Sequence, residues 1–190
     1  MIDEKIFVYP TDTVWGIGAN IFSEDAQIEI AKIKGTEFNK PLSVLFNSLE
    51  QLEKYVKLPE VNFSWEEFFA IETTLLIEKE RFPKVPRWIC HESPLVGIRM
   101  LQNEATEKIN ALCKDPITST SLNLTGEPVV QKKEEARAFV EDHCPQAHIV
   151  DDCTFKMSGA SSTIVAYQKD QIKIIREGDR VGDVKNVLGL

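Results

Sequence analysis

Apolar and polar positions along this chain fall into alternating strand-like and helix-like runs. Residues 5–9 read as a strand stopped by Pro10. Ala26, Ile30 and Ile33 repeat at helical spacing behind Ser23, a good N-cap. Glu24 and Asp25 suit the positive end of that helix, and Gly35 suits its stop. Residues 42–46 form a short apolar run that predicts a buried strand, and Ser48-Leu49-Glu50-Gln51 is a capping box opening another helix. Residues 73–78 and 96–100 predict strands, and Asn103 caps a helix reaching about Lys114. A helix over 133–142 and late strands over 149–150, 163–166 and 172–176 complete the pattern. The aromatic-rich stretch 62–71, with Phe63, Trp65, Phe68 and Phe69, reads as core packing.

Such alternation predicts an α/β sheet covered by helices. No repeat, low-complexity stretch or linker divides the chain, so residues 1–190 are expected to form one domain. A chain of that length buries roughly 70% of its unfolded surface and needs no disulfide or metal staples. Its 43% hydrophobic and 27% charged residues are those of a globular protein. The net charge of -8, from 22 Lys+Arg and 30 Asp+Glu, disfavours non-specific nucleic-acid binding but leaves room for a local basic pocket. Cys90, Cys113, Cys144 and Cys153 form no CxxC pair, so buried thiols are expected rather than a metal site. Residues 1–5 carry Asp3 and Glu4 and no apolar signal core, and no apolar run approaches 18 residues; a cytoplasmic protein without a membrane span is expected.

Four polar segments follow the apolar runs, where α/β sheets collect ligands. The first, residues 9–18, sets Thr11 and Thr13 around Asp12, with Gly16 and Gly18 permitting close backbone approach. The second holds Lys34, Gly35 and Thr36, then Lys40; lysines at a helix end either complement its dipole or hold phosphate. The third, residues 118–128, has six hydroxyl or amide side chains within eight residues, donors for phosphate or carboxylate oxygens unless the segment is a plain solvated loop. The fourth is Ser161-Ser162-Thr163, with Arg176 behind it. Arg99, inside an apolar run, must meet an internal carboxylate or a ligand anion. No Walker A, GxGxxG or GxSxG motif is present, and His91, His143 and His148 lie outside all four segments. No side chain is assigned as a nucleophile and no metal ligand is identified. The residues form a kit for holding anions by hydrogen bonds and charge.

In order along the chain, YPTDTVWGIG (9–18), KGTEFNKPL (34–42), VGIRM (96–100), STSLNLTGEP (119–128), STIV (162–165) and IREG (175–178) resemble the YrdC/TsaC family of threonylcarbamoyl-AMP synthases. The resemblance implies a twisted mixed α/β sheet with flanking helices around a positively charged concave cleft. At 190 residues the chain would be the short form of that family. The implied enzyme is a nucleotidyltransferase: L-threonine is carboxylated by bicarbonate or CO2, and the carbamate attacks the α-phosphate of ATP. The products are threonylcarbamoyl-adenylate and pyrophosphate. A downstream tRNA threonylcarbamoyl transferase would use the adenylate to form t6A at position 37 of tRNA, with at most a weak tRNA contact by this chain. Mg2+ would bridge the triphosphate. By similarity Thr13, Ser121, Ser162 and Arg99 would bind threonine, and Lys34, Lys40, Asn123 and Arg176 would bind ATP.

The chain departs from the family pattern: its first strand is expected to begin almost at once, without the family's usual N-terminal helix, and three segments differ in sequence. Thr36 replaces the arginine of a Lys-x-Arg pair; Phe69-Ala70-Ile71-Glu72 stands where the family has Trp-Pro-Gly-Pro; and Gly182-Asp183-Val184-Lys185 resembles a paralogue group lacking the full signature. Two expectations follow. One is an active synthase in which another cation, such as Lys32 or Arg87, replaces the missing guanidinium. The alternative is a diverged paralogue that binds nucleotide or RNA without synthase activity.

Overall fold

The computed structural model describes residues 5–153 and 156–190. The signal-peptide reading rests partly on residues 1–4, which lie outside the described residues. Among the described residues, nine strands form one sheet: β1 (Ile6–Pro10), β2 (Trp15–Ala19), β3 (Ser43–Phe46), β4 (Thr73–Glu78), β5 (Leu95–Met100), β6 (Ile117–Ser121), β7 (His148–Ile149), β8 (Thr163–Gln168) and β9 (Gln171–Arg176). Their spatial order is β7-β1-β2-β6-β3-β5-β4-β8-β9. Pairing is mixed: β3 runs parallel to β5 and β4 to β8, while β1–β2, β2–β6 and β8–β9 are antiparallel. This is the expected mixed α/β architecture.

The helices are α1 (Glu24–Lys34), α2 (Leu49–Glu53), α3 (Trp65–Phe69), α4 (Arg87–Cys90), α5 (Glu104–Leu112), α6 (Lys133–His143) and α7 (Val181–Leu188). Three begin where their caps predict. The Ser23, Ser48 and Asn103 side chains accept the N–H groups of Ala26, Gln51 and Thr106, satisfying donors that lack an intrahelical partner. At Ser48 only half of the expected box forms, because Gln51 Oε1 turns back to the Asn47 N–H. Gly35 ends α1 in the left-handed region at φ 62°. The aromatic stretch is helical where Phe68 and Phe69 are buried, and Phe63 and Trp65 pack against them, so the core reading holds.

Two expectations need correction. Residues 15–19 of the first polar segment form a strand, and four of the six hydroxyl or amide side chains of the third, residues 118–121, lie within β6 rather than after a strand. Gly18 explains the first: a Cβ there would sit 1.8 Å from the Thr118 carbonyl oxygen, so only glycine lets β2 lie against β6. Cys90, Cys113 and Cys144 are buried, as thiols of a packed interior are. Among the described residues no helix is long and apolar enough to cross a membrane.

Strand register explains why one face of the sheet is polar. Side chains alternate between faces, and residues directly opposite across a ladder share one. Gly16 pairs with Ser121, Ser43 with both Ser119 and Gly97, and Thr74 with Ile164, which in turn pairs with Arg176. Arg99 lies two residues from Gly97 and so shares its face. The opposite face carries Val44, Leu75, Ile98 and Val165, all buried in the largest apolar cluster. Hydroxyls and two guanidiniums thus line one surface because the same strands bury their alternate residues on the other.

Candidate anion and nucleotide site

Two adjoining cavities of about 300 Å³ each open on this polar surface. Thr120 and Ser121 at the end of β6 border both. The first takes Thr13, Arg99, Ser121, Ser162 and Arg176 into its wall. The second takes Lys34, Thr36, Lys40, Ser121 and Asn123. All eight residues expected from the sequence therefore line one composite cleft. Arg176, expected on the nucleotide side, instead lies on the rim of the first cavity beside Ser162.

In the first cavity, a turn after β1 is tied by its own hydroxyls. Thr11 Oγ1 accepts the N–H groups of Thr13 and Val14 at 3.1 and 3.2 Å, and donates to the Val14 carbonyl at 2.7 Å. Thr13 Oγ1 lies 3.0 Å from Thr11 Oγ1, and Thr13 is buried. This turn holds Asp12 against Arg99 in a largely buried ion pair, and the other terminal nitrogen of Arg99 reaches Thr13 Oγ1 at 3.5 Å. Arg99 meets both conditions set by its place in the sequence: it has an internal carboxylate and it faces the cavity.

The cavity nevertheless carries surplus positive potential. Arg176 donates to the Ser162 carbonyl from Nε and Nη2, at 3.2 and 2.8 Å, and to Ser162 Oγ at 3.2 Å, none of them a carboxylate. Burial, and then the charge of Arg99, lowers the Arg176 pKa below the usual arginine range. Two guanidiniums near one carboxylate leave a net cation facing the cavity. Arg99 Nε and Trp15 Nε1 are buried donors without a protein acceptor, and both residues line the cavity. Buried donors of that kind point to a ligand that accepts hydrogen bonds.

Behind them, Tyr9 is fully buried and donates to Ser119 Oγ at 3.0 Å. Burial pushes its pKa to about 12, against the opposing pull of Ser119 and Arg99, so it stays a neutral donor. Thr74 Oγ1 and Ser162 Oγ lie 2.9 Å apart, both buried. Sequence reasoning missed Ser43 and Thr74 as cavity residues. Their only signal is a hydroxyl at the start of an otherwise apolar strand, on the face that register later reveals as open.

The second cavity is organised around Lys34. This residue ends α1 and is buried, with its ammonium turned onto β6. Nζ donates to the carbonyls of Ser121 and Asn123 and to Asn123 Oδ1 at 3.0 Å. Asn123 is equally committed: Oδ1 also accepts from Ser121 Oγ at 2.7 Å, and Nδ2 donates to the Leu124 and Glu127 carbonyls. Burial lowers the Lys34 pKa to about 8. Lys34 and Asn123 thus brace the hydroxyl segment, while exposed Lys40 is the cation on the rim and Thr36 faces the cavity. Neither suggested substitute for the missing guanidinium lines this cavity. Lys32 is exposed and paired with Glu29 at 3.3 Å, and Arg87 lines a neighbouring depression, with Trp88 and His91, that meets this cavity only at Glu37 and Phe38.

A family model for Sua5, YciO and YrdC proteins, described as "Telomere recombination", matches residues 1–178. The chain belongs to the Sua5/YciO/YrdC family. Among its relatives, the threonylcarbamoyl-AMP synthase of Pyrococcus abyssi is 29% identical over 188 residues, which make up 97% of this chain and 54% of that protein. The chain therefore spans about half the length of that relative. The threonylcarbamoyl-AMP synthase of Hydrogenovibrio crunogenus is 31% identical over 144 residues, covering 70% of this chain and 74% of the relative. P. abyssi Sua5 complexed with L-threonine superposes with a TM-score of 0.77 at 27% identity, covering 98% of this chain and 54% of that one. The Sua5/YciO/YrdC fold, expected from six short motifs, is the fold of this chain, and its relatives are named as enzymes.

Proposed function

We propose that this chain is a threonylcarbamoyl-AMP synthase that forms threonylcarbamoyl-adenylate and pyrophosphate from L-threonine, bicarbonate or CO2, and ATP. One observation carries the reading: two cavities of similar size share the Thr120–Ser121 wall. One is lined by two arginines and hydroxyls, and the other by Lys40 and the Lys34–Asn123 brace. Such a pair holds an amino acid beside the first phosphate of a nucleotide. The relative solved with L-threonine supports threonine as the amino acid, and the paired arginine and hydroxyls of the first cavity suit its carboxylate and hydroxyl.

The reaction needs no protein nucleophile. The threonine nitrogen bonds to the carbon of CO2 and releases a proton to water, or bonds to the carbon of bicarbonate with loss of one water molecule; either route leaves a carbamate. A carbamate oxygen then bonds to the α-phosphorus as the bond to the β-phosphate oxygen breaks, and pyrophosphate leaves. Positioning and charge neutralisation dominate such a transfer. Arg99 is fixed by Asp12 and so offers its remaining donors in a preset direction; Arg176 and Ser162 supply the facing wall. Lys34 and Asn123 keep Ser121 at the junction between the two substrates. Mg2+, when bound, supplies charge neutralisation on the triphosphate. The donors here fit an ion carried mainly by phosphate and water, since Asp12 is committed to Arg99 and Glu37 is the carboxylate on the nucleotide cavity. In this reading the adenylate passes to a tRNA threonylcarbamoyl transferase in the cytoplasm, and the whole chain acts as one unit.

Pyrophosphate release by the purified protein should require both threonine and bicarbonate and should be lost in Lys34→Ala. Release that ignores threonine would count against the assignment. Thr36 favours the second reading, a paralogue that binds nucleotide without making the adenylate. A charge-assisted hydrogen bond is worth roughly 1.5–3 kcal/mol, so Thr36→Arg is expected to tighten ATP binding about 10-fold or more if the site has decayed. Calorimetric titration showing no gain, together with wild-type turnover, supports the synthase with Lys40 as sufficient cation.

A further inference from the structure

We propose that Glu72 is a positioning residue that latches residues 158–162 over the first cavity; this rests on that cavity being the threonine site. Gly159, Ala160, Ser161 and Ser162 form one wall of the cavity. Backbone bonds dock this wall onto the Asp12–Thr13 turn: the Ser158 N–H donates to the Asp12 carbonyl at 2.9 Å and the Gly159 N–H to the Thr13 carbonyl at 2.8 Å. Glu72, just before β4, grips it from the other side. Its Oε2 accepts the Ser158 hydroxyl at 2.9 Å, and its carbonyl accepts the Thr163 N–H at 3.0 Å. One residue therefore ties both ends of the wall to the sheet.

One further feature marks Glu72. Its φ is +57°, a left-handed backbone that a residue with a side chain adopts at a cost. The latched wall carries Ser162, whose hydroxyl and carbonyl hold Arg176. Releasing the wall therefore loosens the arginine as well.

The test compares Glu72→Ala, Glu72→Gln and Glu72→Gly in the full chain. Glutamine keeps an acceptor for Ser158; alanine and glycine do not, and glycine also relieves the positive φ. Hydrogen exchange at the Ser158 and Gly159 amides should quicken about 10-fold in the alanine and glycine variants and stay slow in the glutamine variant, an order set by loss of one hydrogen bond. The threonine KM should rise about 5- to 10-fold in the same two variants with little change in kcat, although Glu72→Gly leaves the melting temperature level or higher. Unchanged exchange in Glu72→Ala overturns the latch whatever the protein binds. Faster exchange with an unchanged threonine KM overturns its role at the cavity. Wild-type protein that binds no threonine overturns the synthase reading, and with it the latch's role at a threonine site, while the exchange result still decides whether the contact holds the wall.

Discussion

Lys34 sets the chemistry of the second cavity, the proposed nucleotide site, through its own proton. With three protein oxygens around one buried ammonium and a pKa lowered to about 8, the group is half neutral only slightly above physiological pH. The two consequences have opposite signs. The folded pKa lies below the ordinary 10.5, so between about pH 8 and 10.5 the unfolded chain binds more protons and stability rises with pH. Below that window both states are protonated and the slope from this group vanishes. The brace on Ser121 and Asn123 weakens over the same titration, since a neutral amine has fewer protons and no charge. ATP affinity is thus expected to fall from pH 7 to pH 9 with a midpoint near 8, while the denaturation midpoint holds or climbs; Lys34→Met should flatten the binding profile. Binding that is independent of pH across this range would remove Lys34 from the nucleotide site.

The elements depend on a few close approaches. Gly18→Ala would place a methyl 1.8 Å from the Thr118 carbonyl and force β2 off β6, the strand that carries Ser121. A loss of about 3 kcal/mol is expected, a drop of roughly 6–12 °C in melting temperature, along with weakened nucleotide binding. Gly182, near the start of α7, has open space where a methyl would go, with no atom within 4 Å, so Gly182→Ala should stabilise by about 0.5 kcal/mol. Scanning calorimetry of the two variants checks both signs. The same elements show how far the sequence could be read. Capped and periodic segments were legible: α1 begins after Ser23 and ends at Gly35 as expected, β4 spans the expected residues, and α5 stops only two residues short of its expected end. Short elements escaped because their reasons are tertiary. β2 is a Gly-containing strand defined by its neighbours, and α7 packs by contact with α3. For the site, the polar segments drew attention to the right stretches of chain, with Arg99 set inside an apolar run, and the family resemblance singled out the eight expected residues within them. Ser43 and Thr74 were not legible, since only cross-strand register shows which face a strand hydroxyl takes.

At the scale of the whole molecule, charge is segregated. The chain carries a net charge of -8, yet the cleft gathers Arg99, Arg176 and Lys40. Small anions are drawn into a local positive potential while the surrounding acidic surface repels an extended polyanion. Anisotropy titration with tRNA at about 150 mM salt should therefore show only weak association that decays steeply as salt rises. Tight RNA binding at that salt, itself falling steeply as salt rises, would favour the paralogue reading instead.

In the proposed function this cleft joins a carbamate made on threonine to the first phosphate of ATP. The most direct measurement incubates the full chain with ATP, threonine and carbon-13 bicarbonate and follows the product by mass. The expected product is a threonylcarbamoyl-adenylate that carries the label and is absent when threonine is omitted. Protein that is folded and binds ATP, yet yields no labelled adenylate, would contradict the proposed function.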